Sequence, residues 1–307
     1  MAKATREAFG ETLIAMTDEG LDIVAVDADL AGSTTLAKFG AAYPERFFEV
    51  GIAEQNMMGV AAGLSLTGKI AYTGSFAVFA TGRAYDQIRN TIAYAQLNVK
   101  ICPTHSGISV GPDGGSHQML EDISLMRTLP GMRVLVPADY QSARAAIRLA
   151  AEIDGPVYVR LGRAKVPELY DEGLDFKLGG SHVLRTGSDI SLVACGIMVN
   201  QALLVADELK AQGISAEVID AYSISPFDEK TLLASAQKTN RVVTLEEHSI
   251  YGGLGSTVAE VLSEKYPCQL KRFGMDREFG TSGDLEELLV HFKLDVPSIV
   301  QACGSLF

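Results

Sequence analysis

The 307-residue sequence predicts an α/β protein made of two doubly wound domains with mostly parallel sheets. Short apolar segments rich in β-branched residues alternate with segments of helical spacing, which is typical of parallel sheets covered by helices. The alternation stops between residues 164 and 188, where turn residues accumulate, and then resumes. The length also fits two domains at roughly 100–200 residues each.

The first domain is expected to span residues 1–165. In chain order, its predicted strands are "DIVAVDADL", "FFEV", "KIAYTGSF", "NVKICPTH", "MRVLVPA" and "PVYVRLG". Its segments with helical spacing are "REAFGETLIAMTDEG", "NMMGVAAGLSLTG", "GRAYDQIRNTIAYAQ", "MLEDISLMRTL" and "YQSARAAIRLAAEIDG". Gly20 and Gly68 close the first two helices, as glycine commonly does.

Residues 166–188 are expected to form a linker, and residues 189–307 a second, smaller α/β domain. The predicted strands of this domain are "ISLVACG", "ISAEVIDAYSI" and "RVVTLEE". Its predicted helices are "NQALLVADELKAQG", "DEKTLLASAQKTN" and "GSTVAEVLSEKY".

Composition and charge narrow the classes of function. A formal net charge of −12 argues against a nucleic-acid or anionic-membrane surface as the main binding face. The four cysteines form no CxxC pair, so reduced thiols are expected rather than a disulfide framework or a zinc site. We find neither a signal peptide nor a membrane-spanning segment, and we therefore expect a cytoplasmic protein.

Polar and aromatic residues follow most of the predicted strands of the first domain. They lie at Asp29–Ser33, Glu54, Phe76–Phe79, His105–His117 and Arg163. Ligands of parallel α/β sheets bind outside the carboxyl ends of the strands. The sequence therefore predicts that these segments converge on one site.

The most informative segment is "THSGISVGPDGGSHQ", Thr104–Gln118, which carries His105, Asp113 and His117. Its glycines let the backbone approach a ligand closely. Its imidazoles can bind oxygen atoms and transfer protons near neutral pH. A surface loop with incidental histidines is the alternative interpretation.

Three other candidates have both a functional and a structural interpretation. Glu54 lies where a buried strand turns into an apolar helix, which is unfavourable for a carboxylate unless a partner pairs with it. Phe76 and Phe79 suit a stacking wall for a flat ring or ordinary core packing. Arg163 suits bidentate binding of a phosphate or a structural salt bridge.

Four ordered motifs, "GIAEQNMMGVAAGL", "GSFAVFATGRAYDQIR", "THSGISVGPDGGSHQM" and "LGRAKVPEL", resemble the C-terminal half of transketolase, a thiamine diphosphate enzyme. The likeness runs over nearly the whole chain and implies a pyrimidine-binding domain, a linker and a transketolase C-terminal domain. It also implies reversible transfer of a two-carbon ketol (glycolaldehyde) unit from a ketose phosphate to an aldose phosphate through the thiamine diphosphate ylide.

The resemblance implies a role for each cofactor-binding residue. Glu54 matches the glutamate that hydrogen-bonds a ring nitrogen of the aminopyrimidine and so activates the cofactor. A carboxyl group in an apolar pocket can share a proton with that nitrogen. Phe76 and Phe79 match the aromatic pocket around the ring, and Asp29 matches an acid near the cofactor and the substrate channel.

Further positions match catalytic and substrate contacts. His117 resembles the proton-transfer histidine beside the cofactor amine, and Asp113 resembles the residue that binds a hydroxyl of the donor sugar. The family's substrate-phosphate contacts match four positions: Arg6, Ser33, His105 and Arg163. We expect Glu54, His105 and His117 to be the catalytic residues.

Departures from the family pattern suggest a separate partner chain. Gly82 and Gln55 stand where many members have tyrosine and histidine. The GDG motif and the later asparagine that bind the diphosphate through a metal are not found in the sequence. The resemblance then implies half a cofactor site, completed by a separate N-terminal subunit in an α2β2 heterotetramer. Mg²⁺ (or Ca²⁺ or Mn²⁺) would have its ligands on that subunit.

Four alternatives stay open. The β subunits of 2-oxoacid dehydrogenases share "IAEQ" but lack the histidine loop. Deoxyxylulose-phosphate synthase shares "RAYDQ" but has Asp-Arg at positions 104–105. A split transketolase variant for an unusual phosphorylated or sulfonated sugar fits the same motifs, since a few contacts set specificity. A non-catalytic assembly subunit would keep the fold, although Glu54, His105 and Asp113 are all present.

Overall fold

The computed structural model describes residues 2–307. The strands are β1 Lys3–Ala4, β2 Ile23–Asp27, β3 Phe47–Glu49, β4 Ile70–Gly74, β5 Val99–Ile101, β6 Arg133–Leu135, β7 Val157–Val159, β8 Lys165–Val166, β9 His182–Arg185, β10 Ile190–Ala194, β11 Ala216–Asp220, β12 Ser223–Ser225, β13 Arg241–Ser249 and β14 Gln269–Met275. The helices are α1 Glu7–Asp18, α2 Ala31–Thr34, α3 Leu36–Ala42, α4 Glu54–Ser65, α5 Tyr85–Gln87, α6 Asp122–Arg127, α7 Tyr140–Glu152, α8 Met198–Ala211, α9 Glu229–Thr239, α10 Leu254–Lys265, α11 Leu285–His291 and α12 Val296–Gly304.

The first sheet has the strand order β12-β6-β7-β5-β4-β2-β3. Strands β2 to β7 pair in parallel, as the sequence predicts. All five residues of β2 are buried, because a central strand of a doubly wound sheet is covered by helices on both faces. The carboxyl ends of β2, β4, β5 and β7 therefore lie along one edge of this sheet.

The second sheet has the order β14-β13-β10-β11-β9 and is parallel except for its edge strand β9. Strand β9 lies inside the segment 166–188 that we expected to be a linker. The division of the chain at residues 165 and 189 stays a prediction. The expected fold class, two mostly parallel α/β sheets with helices, is confirmed.

The predicted strand "ISAEVIDAYSI" divides between the two sheets. Its first part is β11 of the second sheet, and its last part is β12, which pairs antiparallel with β6 of the first sheet. The crossing is held by Tyr222, whose carbonyl accepts a hydrogen bond from the Val136 amide at 2.7 Å and whose ring stacks on Phe176 at 3.7 Å. Apolar periodicity carries no signal for such a change of sheet.

The helix predicted at "GRAYDQIRNTIAYAQ" has an irregular backbone. Two π-helical segments, Val78–Arg83 and Ile88–Ala93, flank the short helix α5. Within the second segment, the Tyr94 amide donates to the Arg89 carbonyl at 2.9 Å, an i→i−5 bond. Such π-turns occur frequently at functional sites. Strand β14, helices α11 and α12, and the shorter elements β1, β8, β9, α2 and α3 are additional to the predicted elements.

A buried ionic network joins the two domains. Arg160, at the end of β7, donates from Nε to Asp122 Oδ2 at 2.7 Å, and the Tyr158 hydroxyl donates to the same oxygen at 2.6 Å. On the other side of the guanidinium, Nη1 lies 3.6 Å from Glu247 Oε1 of β13, and Nη2 donates to the backbone carbonyl of Glu247 at 3.2 Å. Although burial alone would raise the pKa of Asp122, the charge of Arg160 lowers it.

The second domain also supports the histidine loop, Thr104–Gln118. The Glu247 carboxylate accepts a hydrogen bond from the Ser109 amide at 2.9 Å. Gly107, at φ 74°, allows this approach, because a Cβ atom there would lie 2.3 Å from Glu247 Oε2. Gln118 donates to the Thr281 carbonyl at 3.0 Å. The loop conformation therefore depends on both domains.

The state of the cysteines and the character of the helices can be compared with what the sequence predicts. The four cysteines are free thiols, three of them buried and Cys268 partly exposed. None of the helices in residues 2–307 combines the length and the apolar character needed to cross a membrane.

We predict that Arg160→Ala strongly destabilises the protein. The substitution leaves Asp122 and Glu247 buried without their cation, which lowers the free energy of unfolding by about 3–5 kcal/mol. The control is Arg148→Ala, which removes the solvent-exposed pair of Arg148 with Glu19 and should change the stability only slightly. Urea unfolding followed by circular dichroism measures both variants, and equal losses would contradict the role of Arg160.

Candidate active site

The predicted convergence of strand ends is present in the first sheet. Phe76 lies just beyond β4, His105 beyond β5 and Arg163 beyond β7. Arg6 reaches the same edge from the chain start, where its amide donates to the Gly162 carbonyl at 3.3 Å. Parallel strands bring these segments together because their carboxyl ends share one edge.

Four rings form what we call the aromatic wall: Phe76, Phe79, His105 and His117. Phe76 and Phe79 are nearly parallel, with an interplanar angle of 12° and ring centroids 6.1 Å apart. His105 stacks on Phe76 at 3.8 Å, and His117 meets Phe79 edge-on at 5.4 Å. The interpretation of the two phenylalanines as a stacking surface agrees with this arrangement.

His105 is held as a neutral acceptor. Its Nε2 lies 3.4 Å from Arg6 Nη1, and its Nδ1 lies 2.8 Å from Thr104 Oγ1. A guanidinium can only donate, so Nε2 carries the lone pair and Nδ1 the proton. Burial, together with the charges of Arg6, Arg163 and His117, lowers the pKa of His105 to about 3.

Arg6 and Arg163 form a cationic corner beside the wall. Arg6 donates to the Ser33 carbonyl at 2.8 Å. Arg163 donates to the Val110 carbonyl at 2.5 Å and lies 3.3 Å from Asp113 Oδ2. The two arginines are close enough that the charge of Arg163 adds to burial in lowering the pKa of Arg6. Such a pair suits an anion with several oxygen atoms.

Glu54 is the first residue of α4, and its side chain is 3% exposed. Arg83 Nη1 lies 3.0 Å from Glu54 Oε1 and 2.9 Å from Oε2. The Arg83 guanidinium carbon also lies 4.9 Å from the centre of the Phe79 ring. The partner required for the buried carboxylate is therefore Arg83, which connects Glu54 to the aromatic wall.

Asp29 lies at the same sheet edge but contacts a different group. It is exposed, its φ is 61°, and its amide donates to Glu49 Oε1 at 2.8 Å. Below it, burial raises the pKa of Asp27 to about 7, although the Leu30 amide and the Thr34 hydroxyl donate to its carboxyl. The structure brings Asp29 into no contact with the wall.

The structure thus unites most of the predicted site residues. A chain of contacts connects Glu54, through Arg83, to the wall and the cationic corner, and Ser33 and Asp113 contact the two arginines of that corner. Two important residues were not predicted from the sequence. Arg83 pairs with Glu54, and Glu247 supports the histidine loop. Arg83 follows the phenylalanines at the end of a π-helical turn, whereas periodicity indicates an ordinary helix there. Residues 2–307 contain no cluster of three or more histidine, cysteine or acidic side chains arranged to bind a metal.

Profiles of two protein domains match this chain. The transketolase pyrimidine-binding domain matches residues 1–168, and the transketolase C-terminal domain matches residues 179–299. Together they cover most of the sequence.

Individual relatives match over nearly their whole length. A chain named as a transketolase C-terminal section from Methanocaldococcus jannaschii is 47% identical over 302 residues, or 97% of this chain and 95% of the relative. The 6-deoxy-6-sulfo-D-fructose transketolase subunit SqwH of Clostridium sp. (strain MSTE9) is 44% identical over 97% of this chain and 92% of the relative.

A solved structure titled as a split gene transketolase, inactive β4 tetramer, has the same fold. It superposes with a TM-score of 0.90 at 49% identity and covers 100% of this chain and 98% of the other. The chain belongs to the transketolase family and corresponds over its length to the C-terminal subunit of the split members.

Proposed function

We propose that this chain is the C-terminal subunit of a split transketolase that transfers a two-carbon ketol unit from a ketose phosphate to an aldose phosphate. One observation carries the proposal. A buried carboxylate, Glu54, lies at one end of an aromatic wall whose other end is a cationic corner. The wall suits a flat cofactor ring, and the corner suits a phosphorylated substrate.

The pyrimidine end of thiamine diphosphate fits the residues present. The parallel rings of Phe76 and Phe79 offer an apolar face for stacking, and Glu54 offers a carboxyl group for a ring nitrogen. When bound, the cofactor would supply an electron sink for the two-carbon fragment. Glu54 would hold the proton shared with the ring nitrogen, and the wall would exclude water from it.

The remaining residues are proposed to bind and orient the sugar. His105, which is neutral with its lone pair on Nε2, can accept a hydrogen bond from a sugar hydroxyl once Arg6 turns to the phosphate. His117 lies edge-on to Phe79, where it can transfer a proton beside the cofactor ring. Asp113 and Asp29 are both exposed. Asp113 would accept a hydrogen bond from a sugar hydroxyl, and Asp29 would border the substrate channel.

The diphosphate and its metal ion are assigned to a second chain. We propose a separate N-terminal subunit that carries the ligands of Mg²⁺, Ca²⁺ or Mn²⁺ and that forms an α2β2 heterotetramer with this chain. The names of the relatives support a partner: one is a C-terminal section, another is a subunit, and the β4 tetramer is called inactive. A cytoplasmic location and a place in pentose phosphate metabolism belong to the same proposal.

The anion on the sugar defines a second candidate function. The corner of Arg6 and Arg163 fits the oxygens of a sulfonate as well as those of a phosphate. The relative from Clostridium sp. is named for 6-deoxy-6-sulfo-D-fructose. A split transketolase for a sulfonated sugar therefore differs from the first proposal only in its contacts at this corner.

We predict that Glu54→Gln lowers ketol transfer by the assembled enzyme roughly 100-fold or more, because the amide cannot hold the shared proton. Xylulose 5-phosphate and ribose 5-phosphate serve as the donor and acceptor. The control is Glu264→Gln, the same exchange at an exposed position of α10. Unchanged ketol transfer in Glu54→Gln would exclude the proposed mechanism and would leave the chain as a non-catalytic assembly subunit.

We predict that Arg163→Ala raises the KM for a phosphorylated donor by roughly 10-fold or more, since a hydrogen bond to a charged group contributes about 1.5–3 kcal/mol. The KM for an unphosphorylated ketose should change much less. Lys165→Ala, an exposed cation two residues further on, is the control. Arg163→Lys retains the positive charge but alters the contacts with the loop. It therefore tests whether the loss of those contacts, rather than the loss of the charge, raises the KM. Equal changes for both donors would remove Arg163 from the anion site.

A further inference from the structure

Arg83 ends the π-helical segment Val78–Arg83 and reaches back to the first residue of α4. One of its nitrogen atoms, Nη1, lies within 3.0 Å of both carboxylate oxygens of Glu54. The two partners differ in exposure: the Glu54 side chain is 3% exposed and the Arg83 side chain is 51% exposed. Arg83 therefore covers the buried carboxylate on the side that faces solvent.

The same guanidinium covers part of the aromatic wall. Its central carbon lies 4.9 Å from the centre of the Phe79 ring, which is the geometry of a cation–π contact. A guanidinium is flat, stacks on aromatic faces and donates hydrogen bonds from its edge. These are also the properties of a protonated aminopyrimidine, whose ring the proposed function assigns to Glu54 and the wall.

We infer that Arg83 is a placeholder that occupies the position of the aminopyrimidine ring and must swing away before the ring pairs with Glu54. This inference rests on the proposed function. Arg83 is then a positioning residue: it compensates the charge of the buried Glu54 carboxylate while the site is open. Ring binding exchanges one flat donor for another, so the carboxylate is paired in both states.

The surroundings of Arg83 allow this exchange. In the described part of the chain, the guanidinium makes no hydrogen bond other than those to Glu54, and half of the side chain faces solvent. The backbone is held separately, because Gln55 Nε2 donates to the Arg83 carbonyl at 3.3 Å. The side chain can thus rotate outward while the turn that carries Phe79 and Arg83 stays in place.

The test uses thiamine, which carries the aminopyrimidine but lacks the diphosphate, and the full-length chain. Titration calorimetry measures its Kd for the wild-type chain, Arg83→Ala, Glu54→Ala and the double variant. Removing the competitor should tighten thiamine binding roughly 2- to 5-fold, the range expected when a half-exposed ion pair is displaced. This gain should disappear when Glu54 is also replaced, because both groups act on the same carboxylate.

Stopped-flow binding gives a second readout. Because a half-exposed side chain rotates far faster than thiamine binds, the observed rate should rise linearly with thiamine concentration for both chains, with a steeper slope for Arg83→Ala because no competitor has to leave. Arg89→Ala, an exposed arginine in the following π-helical segment, is the matched control and should behave as wild type.

The outcomes separate the two proposals. Thiamine binding that depends on Glu54 but is unchanged or weakened in Arg83→Ala would overturn the placeholder and leave the proposed function standing. Thiamine binding that does not depend on Glu54 would overturn both. Thiamine binding that is tighter in Arg83→Ala, depends on Glu54 and has a steeper dependence of the observed rate on thiamine concentration supports both proposals.

Discussion

The site depends on one buried contact between the domains, the pairing of Arg160 with Asp122 and Glu247. Arg160 is 4% exposed, and its two acidic partners are 0% and 3% exposed, so each charge is tolerated only because the others are present. Glu247 also receives the Ser109 amide and thereby fixes the histidine loop against the second domain. The second domain therefore supports the candidate site, although the residues proposed to bind the ligand belong to the first.

The two ends of the aromatic wall differ in their electrostatic environment. At one end, burial together with the charges of Arg6 and Arg163 keeps His105 neutral by lowering its pKa. At the other end, a buried carboxylate is paired with an arginine that is half exposed. In the proposed function, the first environment would bind the anion of the sugar once Arg6 turns away from His105, and the second is held by a side chain that the cofactor ring would replace. A subunit with half of a cofactor site would need both: a cationic corner for the substrate, and a carboxylate that stays paired until it meets a ring that another chain helps to hold.

The sequence predicted the class of fold from local signals, and it predicted the candidate site from the positions of strand ends and from the family resemblance; the roles of the site residues stay predictions. Strand–helix alternation and the position of Glu54 at the start of an apolar helix are visible in the order of residues. Arg83 and Glu247 were not predicted, since their importance arises from contacts over 29 and 138 residues of separation. The change of sheet at Tyr222 was missed for the same reason. Asp29 was predicted both from its position after a strand and from motif similarity; its amide contacts Glu49, and its role near the substrate channel stays a prediction.

In the proposed function, this chain needs a separate diphosphate-binding chain to act as a transketolase. The most direct measurement is purification of the tagged chain from its native host, followed by mass spectrometry and assay of the product. We expect a stoichiometric partner that carries a GDG motif and the later asparagine, and ketol transfer that requires both chains. If the chain purifies alone, binds thiamine diphosphate tightly with Mg²⁺ and transfers the ketol unit by itself, the claim of half a site is wrong.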